Sequence, residues 1–105
     1  MNKHTEQDGL LIALLVLHRG KSQAITAGEI SKYLGDLGFS IKPHSVGGII
    51  RNLMLQYDLS ICGINKSGYY WATTDAEIQE TISDLESRRT ALSERIAHLK
   101  KFVRG

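Results

Sequence analysis

KPHSVGGIIRNLMLQYDLSICGINKSGYYW, residues 42–71, is the stretch whose reading decides the fold. Pro43 suits the first turn of a helix, where its missing N–H is no loss. From there Val46, Ile49, Ile50, Leu53, Met54 and Tyr57 recur at helical spacing and predict one buried stripe, so a helix is expected over Pro43–Tyr57. Two strands are expected next, Leu59–Ile64 and Tyr69–Thr73. Their alternation sets Ile61 and Gly63 against Cys62 and Ile64, then Tyr69 and Trp71 against Tyr70 and Ala72. Asn65-Lys66-Ser67-Gly68 forms the turn, with Asn65 and Gly68 as positions open to positive φ.

The opposite face of this helix carries His44, Ser45, Gly48, Arg51, Asn52 and Leu55. From Ser40 to Ala72 the charged residues are Lys42, Arg51, Lys66 and Asp58, with His44 besides. Short, polar and cationic side chains almost free of carboxylates suit a polyanionic partner. Gly47 and Gly48 should each cost a helix interior roughly 1 kcal/mol relative to alanine. Either Gly48 admits a nucleic-acid strand close to the helix, or Gly47 allows tight packing on the preceding helix, or the helix begins later.

The elements before this stretch build its platform. Thr5 or Glu6 through His18 reads as a helix whose Leu10, Leu11, Leu14, Leu15 and Leu17, with Ile12 and Val16, make it apolar on nearly all sides and deeply buried. Gly20 is placed to cap it. Ile25 is expected to lie as a very short strand beside the hairpin. Thr26 and Glu29 fit a capping box for a helix Ala27–Leu37, with Ile30, Leu34 and Leu37 inward. Gly38 stops that helix, and Phe39 and Ile41 plug the core beneath the turn.

After the hairpin, Thr74 and Glu77 fit a second capping box. Ile78, Ile82, Leu85, Arg89, Leu92, Ile96, Leu99 and Val103 then recur in alternating steps of four and three. Such a narrow seam, roughly 39 Å long, asks for a second helix, most simply the same helix of another copy. Arg89 is either a register determinant or an edge residue that snorkels out. Arg88, Arg89, Arg95, Lys100, Lys101 and Arg104 make the end of this helix basic, which is either a nucleic-acid contact or a solvated face.

The whole chain has 105 residues, a net charge of +2 and one cysteine. This predicts a domain over 6–73 and a pairing helix over 74–104, with no internal disulfide. Leu10–Leu17 is too short to span a bilayer, and no small-residue cleavage site follows, so a cytoplasmic, nucleoid-associated protein is expected. The histidines His4, His18, His44 and His98 share no metal-ligand spacing. Cys62 reads as a small core residue rather than a nucleophile. No catalytic constellation or cofactor motif is present, and no enzyme is expected.

The order helix, Thr-capped helix, turn, Pro-led helix, hairpin and long helix resembles the winged helix-turn-helix DNA-binding proteins. Ile25–Leu34 looks like the first helix of that motif, and Ser45-Val46 with Arg51-Asn52-Leu53 looks like its recognition helix. Ser60–Gly63 and Lys66–Ala72, running into an acidic helix start, are similar to small phage and prophage winged-helix proteins. The layout with a C-terminal pairing helix also resembles the bacterial replication terminator protein. The resemblance implies an α+β fold, mainly α with a small hairpin, acting on double-stranded DNA as a homodimeric regulator. Its contacts are expected from Lys42, His44, Ser45, Gly48, Arg51, Asn52, Asn65, Lys66 and Ser67. The other reading of the same layout is a protein–protein interaction module that binds no DNA.

Overall fold

The computed structural model describes residues 3–64 and 67–103. The chain is mainly helical, with α1 Lys3–Val16, α2 Ala27–Asp36, α3 Pro43–Tyr57, β1 Ile61–Ile64, β2 Gly68–Trp71 and α4 Asp75–Lys100. A single 3₁₀ turn, Lys21–Gln23, joins α1 to α2. This is the α+β arrangement expected, four helices and a two-stranded antiparallel hairpin, ending in a long helix.

Local chemistry accounts for most element ends. Thr26 Oγ1 accepts from Glu29 N at 3.2 Å, and Glu29 Oε1 accepts from Thr26 N at 3.0 Å, completing the capping box of α2. Donation from Thr26 N and from the Thr26 hydroxyl holds the Glu29 carboxyl below its ordinary pKa. At the other end Gly38 takes φ +94°, and Phe39 N donates back to Leu34 O at 2.9 Å. Ser31 Oγ donates to the Ile41 carbonyl and fastens the turn between α2 and α3.

The core joins Leu11, Leu14 and Leu15 of α1 to Ile30 and Leu34 of α2, Val46, Ile50 and Leu53 of α3, and Ile61 and Tyr69 of the hairpin. Phe39 is buried beneath the turn, and Ile41 packs against the core. The first helix is not buried on all sides. Leu17 is 75% exposed and Val16 is also exposed, because α1 stops at Val16 and Leu17 turns outward with N–H to Leu14 O. Leu37 and Tyr57 likewise leave the expected stripes: Leu37 is the C-cap past the last residue of α2, Tyr57 is the last residue of α3, and both are exposed.

β2 lies in the middle of the hairpin region. β1 pairs with it in the register Ile61–Trp71, Cys62–Tyr70, Gly63–Tyr69 and Ile64–Gly68. On its other edge Ile25 exchanges both backbone bonds with Tyr69, at 2.8 and 2.7 Å, as a one-residue strand. Trp71 N donates to His18 O at 2.8 Å and Gly20 N donates to Trp71 O at 2.9 Å, a parallel bridge centred on Arg19. Gly20 therefore takes its φ of +84° not to cap α1 but to lay the α1–α2 connection along β2.

The alternation sets Ile61 and Tyr69 on one face of the hairpin and Cys62 and Tyr70 on the other, and both faces are covered. Ile61, Cys62, Tyr69 and Tyr70 are all buried, because the core covers one face and α4 the other. Thr81 of α4 accepts from Gly63 N at 3.2 Å and its hydroxyl meets Cys62 and Tyr70. Burial pushes the Cys62 thiol and the Tyr70 hydroxyl above their ordinary pKa values.

Gly63 is the position at which backbone geometry excludes every other residue. Its φ is +99°, and a Cβ there would stand 1.9 Å from Gly68 O. Gly63→Ala should therefore lower stability by about 2 kcal/mol or more. Thermal melts should show the midpoint falling by roughly 10 °C. A melt within a degree of the wild type would mean that the hairpin tolerates a side chain at Gly63.

Candidate nucleic-acid interface

The hairpin and the α2–α3 turn present one face of α3 to solvent. The helix runs without a break from Pro43, so the glycine pair lies inside it and does not delay its start. Lys42 is the N-cap and gives no side-chain cap bond. Its carbonyl accepts from Ser45 N at 2.9 Å. Asp58 ends the helix in the left-handed region at φ 57°, an uncommon conformation for a residue other than glycine.

His44, Ser45, Gly48, Arg51, Asn52 and Leu55 all lie on the exposed side of α3, with Lys42 exposed before them. Val46, Ile50 and Leu53 are buried on the other side. Gly48 faces open space, with nothing within 4 Å of where a Cβ would stand. Packing thus explains nothing about Gly48. Gly47 is half-buried and borders a groove on the α4 side. Among the expected turn contacts, Ser67 is exposed, while Asn65 and Lys66 lie outside the described residues.

The groove separates α3 from α4 and opens along β1. It has a volume of about 710 Å³. Ile50 and Met54 of α3 face Ile78, Ile82 and Leu85 of α4 across a floor that includes Ile61. Among the described residues Arg51 and Arg88 are its charged lining residues, and no carboxylate lines it. Sequence reasoning left Arg88 in a basic run on a distant helix. Its place three residues after Leu85 marks it as adjacent to the seam, but only the packing of α4 against β1 brings it to the groove that Arg51 also lines.

Two contacts aim α4. Glu77 does not close the expected capping box. Thr74 Oγ1 does accept from Glu77 N at 3.2 Å, yet the Glu77 carboxylate reaches past Thr74 to Thr73 N at 2.8 Å and across to Lys21 N at 2.7 Å. The α1–α2 connection offers a free N–H within reach, and the carboxylate takes it. Lys21 Nζ pairs with Glu80 one turn further on. Arg19, beside this loop, lies 6.0 Å from the Trp71 ring centre.

Beyond these anchors the seam stands free. Ile82, Leu85, Leu92, Ile96 and Leu99 are exposed, as is Arg89, and only Ile78 is half-buried. Val103, expected as the last seam position, is not on the helix. α4 ends at Lys100, and the next residues close tighter turns, Phe102 N to Leu99 O at 3.0 Å and Val103 N to Lys100 O at 3.3 Å. The radius of gyration, 16.2 Å, exceeds the ~13 Å of a compact chain this size because α4 projects.

No cluster of three His, Cys, Asp or Glu side chains suited to a metal occurs among the described residues. No helix among them is long and apolar enough to cross a membrane. Comparison of the chain with protein-family models, curated proteins and solved structures found no match.

The Glu77 anchor carries a pH signature. Hydrogen bonds from Thr73 N and Lys21 N hold its carboxyl below the ordinary 4.5. A depressed folded pKa means stability that is present above the unfolded value and lost as pH falls through the folded one. Glu77→Gln should thus be less stable than the wild type at neutral pH. The gap in denaturant midpoints should close as pH drops below about 4.5. A gap that persists unchanged into strong acid would contradict the ionised anchor.

Proposed function

We propose that the chain is a winged helix-turn-helix protein that binds double-stranded DNA as a homodimer and regulates transcription or replication in a bacterium or phage. It would act in the cytoplasm, on the nucleoid. α3 is the recognition helix, the hairpin is the wing, and α4 pairs two copies. The observation that carries this reading is the exposed face of α3. It runs from Lys42 through His44, Ser45 and Gly48 to Arg51 and Asn52, and no acid interrupts it. An open, uncharged-to-cationic helix beside a hairpin is dimensioned for a major groove.

Within this reading the residues divide by chemistry. Lys42, Ser45, Arg51 and Lys66 hold phosphates and set the register. Arg51 addresses guanine through its fork, Asn52 addresses adenine through its amide, and His44 lies alongside. Gly48 lets the helix approach the duplex. The exposed stripe of α4 supports pairing, which would set two recognition helices about 34 Å or a multiple apart. The same stripe also suits a module that pairs with another protein and leaves DNA alone, so the test must separate the two.

Fluorescence anisotropy on duplex DNA at low salt separates them. Arg51→Ala should weaken binding by roughly tenfold and lower the slope of log affinity against log salt by about one. Sedimentation of the full chain should give a dimer, and Ile96→Asp should give a monomer. Unchanged affinity and slope in Arg51→Ala would remove the DNA reading. A dimer that ignores duplex DNA at low salt would leave the interaction module. A wild type that sediments as a monomer at every concentration would refute pairing.

Gly48→Ala adds a second measure. The position is open and helical, so alanine should stabilise the fold by about 1 kcal/mol. It should at the same time weaken duplex binding. A gain in stability with full affinity would mean that no strand approaches Gly48 closely.

A further inference from the structure

The groove between α3 and α4 has the size and lining of a ligand site. Its volume of about 710 Å³ falls within the ~300–1,000 Å³ of ordinary small-molecule pockets. The walls are largely hydrocarbon, from Ile50, Met54, Ile61, Ile82 and Leu85, with the Tyr69 ring besides; Ile82 and Leu85 also belong to the seam, so a bound acid leaves pairing to Leu92, Ile96 and Leu99 beyond the groove. Against these walls, among the described residues, stand two cations, Arg51 and Arg88, and no carboxylate. Among the described residues neither guanidinium belongs to an ion pair; the pair that occurs is Lys21 with Glu80. A neutral apolar molecule would leave both guanidinium groups unused, and a small polyanion would leave the apolar trough wet. The complement of this lining is an apolar body that carries one anionic head.

We infer that the groove binds a free amphipathic carboxylic acid, with its alkyl body in the trough and its carboxylate held by Arg88 and Arg51. Arg51 also belongs to the face assigned to DNA, so the acid and the duplex draw on one guanidinium. This second consequence rests on the DNA reading, whereas binding of the acid does not. The site therefore couples occupancy to release of DNA without a conformational change: a neutralised Arg51 no longer meets a base or phosphate.

Calorimetric titration of the full-length chain tests the site without DNA present. Sodium decanoate should bind saturably, one molecule per chain, and decanol should bind at least about tenfold more weakly. Inorganic phosphate should give no binding. Arg88→Gln, on an exposed helix face, should keep the wild-type far-ultraviolet spectrum. It should weaken decanoate by about tenfold while leaving decanol unchanged. Decanol binding as tightly as decanoate, or decanoate binding unaffected by Arg88→Gln, would overturn the assignment. So would the absence of saturable binding, which is the result if the helix of a second copy fills the groove.

Anisotropy then addresses the shared arginine. Decanoate should displace duplex from the wild type, and about tenfold more acid should be needed for Arg88→Gln. Decanoate that binds but leaves the duplex in place would overturn the sharing of Arg51. A chain that binds decanoate and never binds duplex would remove the DNA reading and leave the groove assignment standing.

Discussion

The Glu77 carboxylate ties together the two ends of the domain. It accepts from Lys21 N before α2 and from Thr73 N after β2, so one side chain joins the first connection to the last. Thr81, one turn on, accepts from Gly63 N of the edge strand. These contacts fix the direction in which α4 leaves the core. That direction decides three other things: which face of the hairpin is covered, how wide the groove to α3 is, and where the exposed seam points. Both partners of Glu77 are backbone N–H groups that no helix or strand ladder uses, so the carboxylate satisfies donors that would otherwise rely on water.

The hairpin shows how such an anchor changes a local pattern. A strand pair at the edge of a small domain should be covered on one face only, and period-2 alternation would then separate inside from outside. Here α4 lies over the second face, so Cys62 and Tyr70 are as well covered as Ile61 and Tyr69. Gly63 answers to the paired strand rather than to α4. A strand whose partner backbone lies where a Cβ would go has room for glycine alone.

What could be read from the residues follows from the range of the forces involved. The bounds of α3 and the Thr26 capping box depend on neighbours a few residues away, and each agrees with the expectation from the sequence; the Ile25 bridge also agrees, although its partner Tyr69 is distant in the chain. The failures are mostly non-local. Leu17 and Leu37 are exposed because each lies just past the last residue of its own helix, but the second partner of Glu77 comes from a loop fifty-six residues earlier. Gly63 reads as an ordinary strand residue until the position of Gly68 O is known. For the candidate interface, exposure of His44, Ser45, Arg51 and Asn52 was legible from helical spacing alone. The nearness of Arg88 to the same groove was not, since nothing in the chain order places α4 against α3.

Salt separates the two halves of the proposed mechanism. α3 carries one arginine, and each phosphate contact in such an interface weakens as ionic strength rises. The seam behaves in the opposite sense. Arg89 interrupts its apolar residues, and Arg88 and Arg95 precede Arg89 and Ile96 along its flank. A pairing that sets these arginines against their counterparts, rather than against Glu86 and Glu94, would bring like charges together, and salt would screen that repulsion while the burial of Leu92, Ile96 and Leu99 remained. If binding requires pairing, added salt strengthens the dimer while it strips the duplex. The slope of binding against salt would then be shallower than the number of phosphate contacts implies. A monomeric reader with the same α3 would show the full slope. The charge on the seam is thus part of the DNA argument, although no residue of the seam need touch DNA.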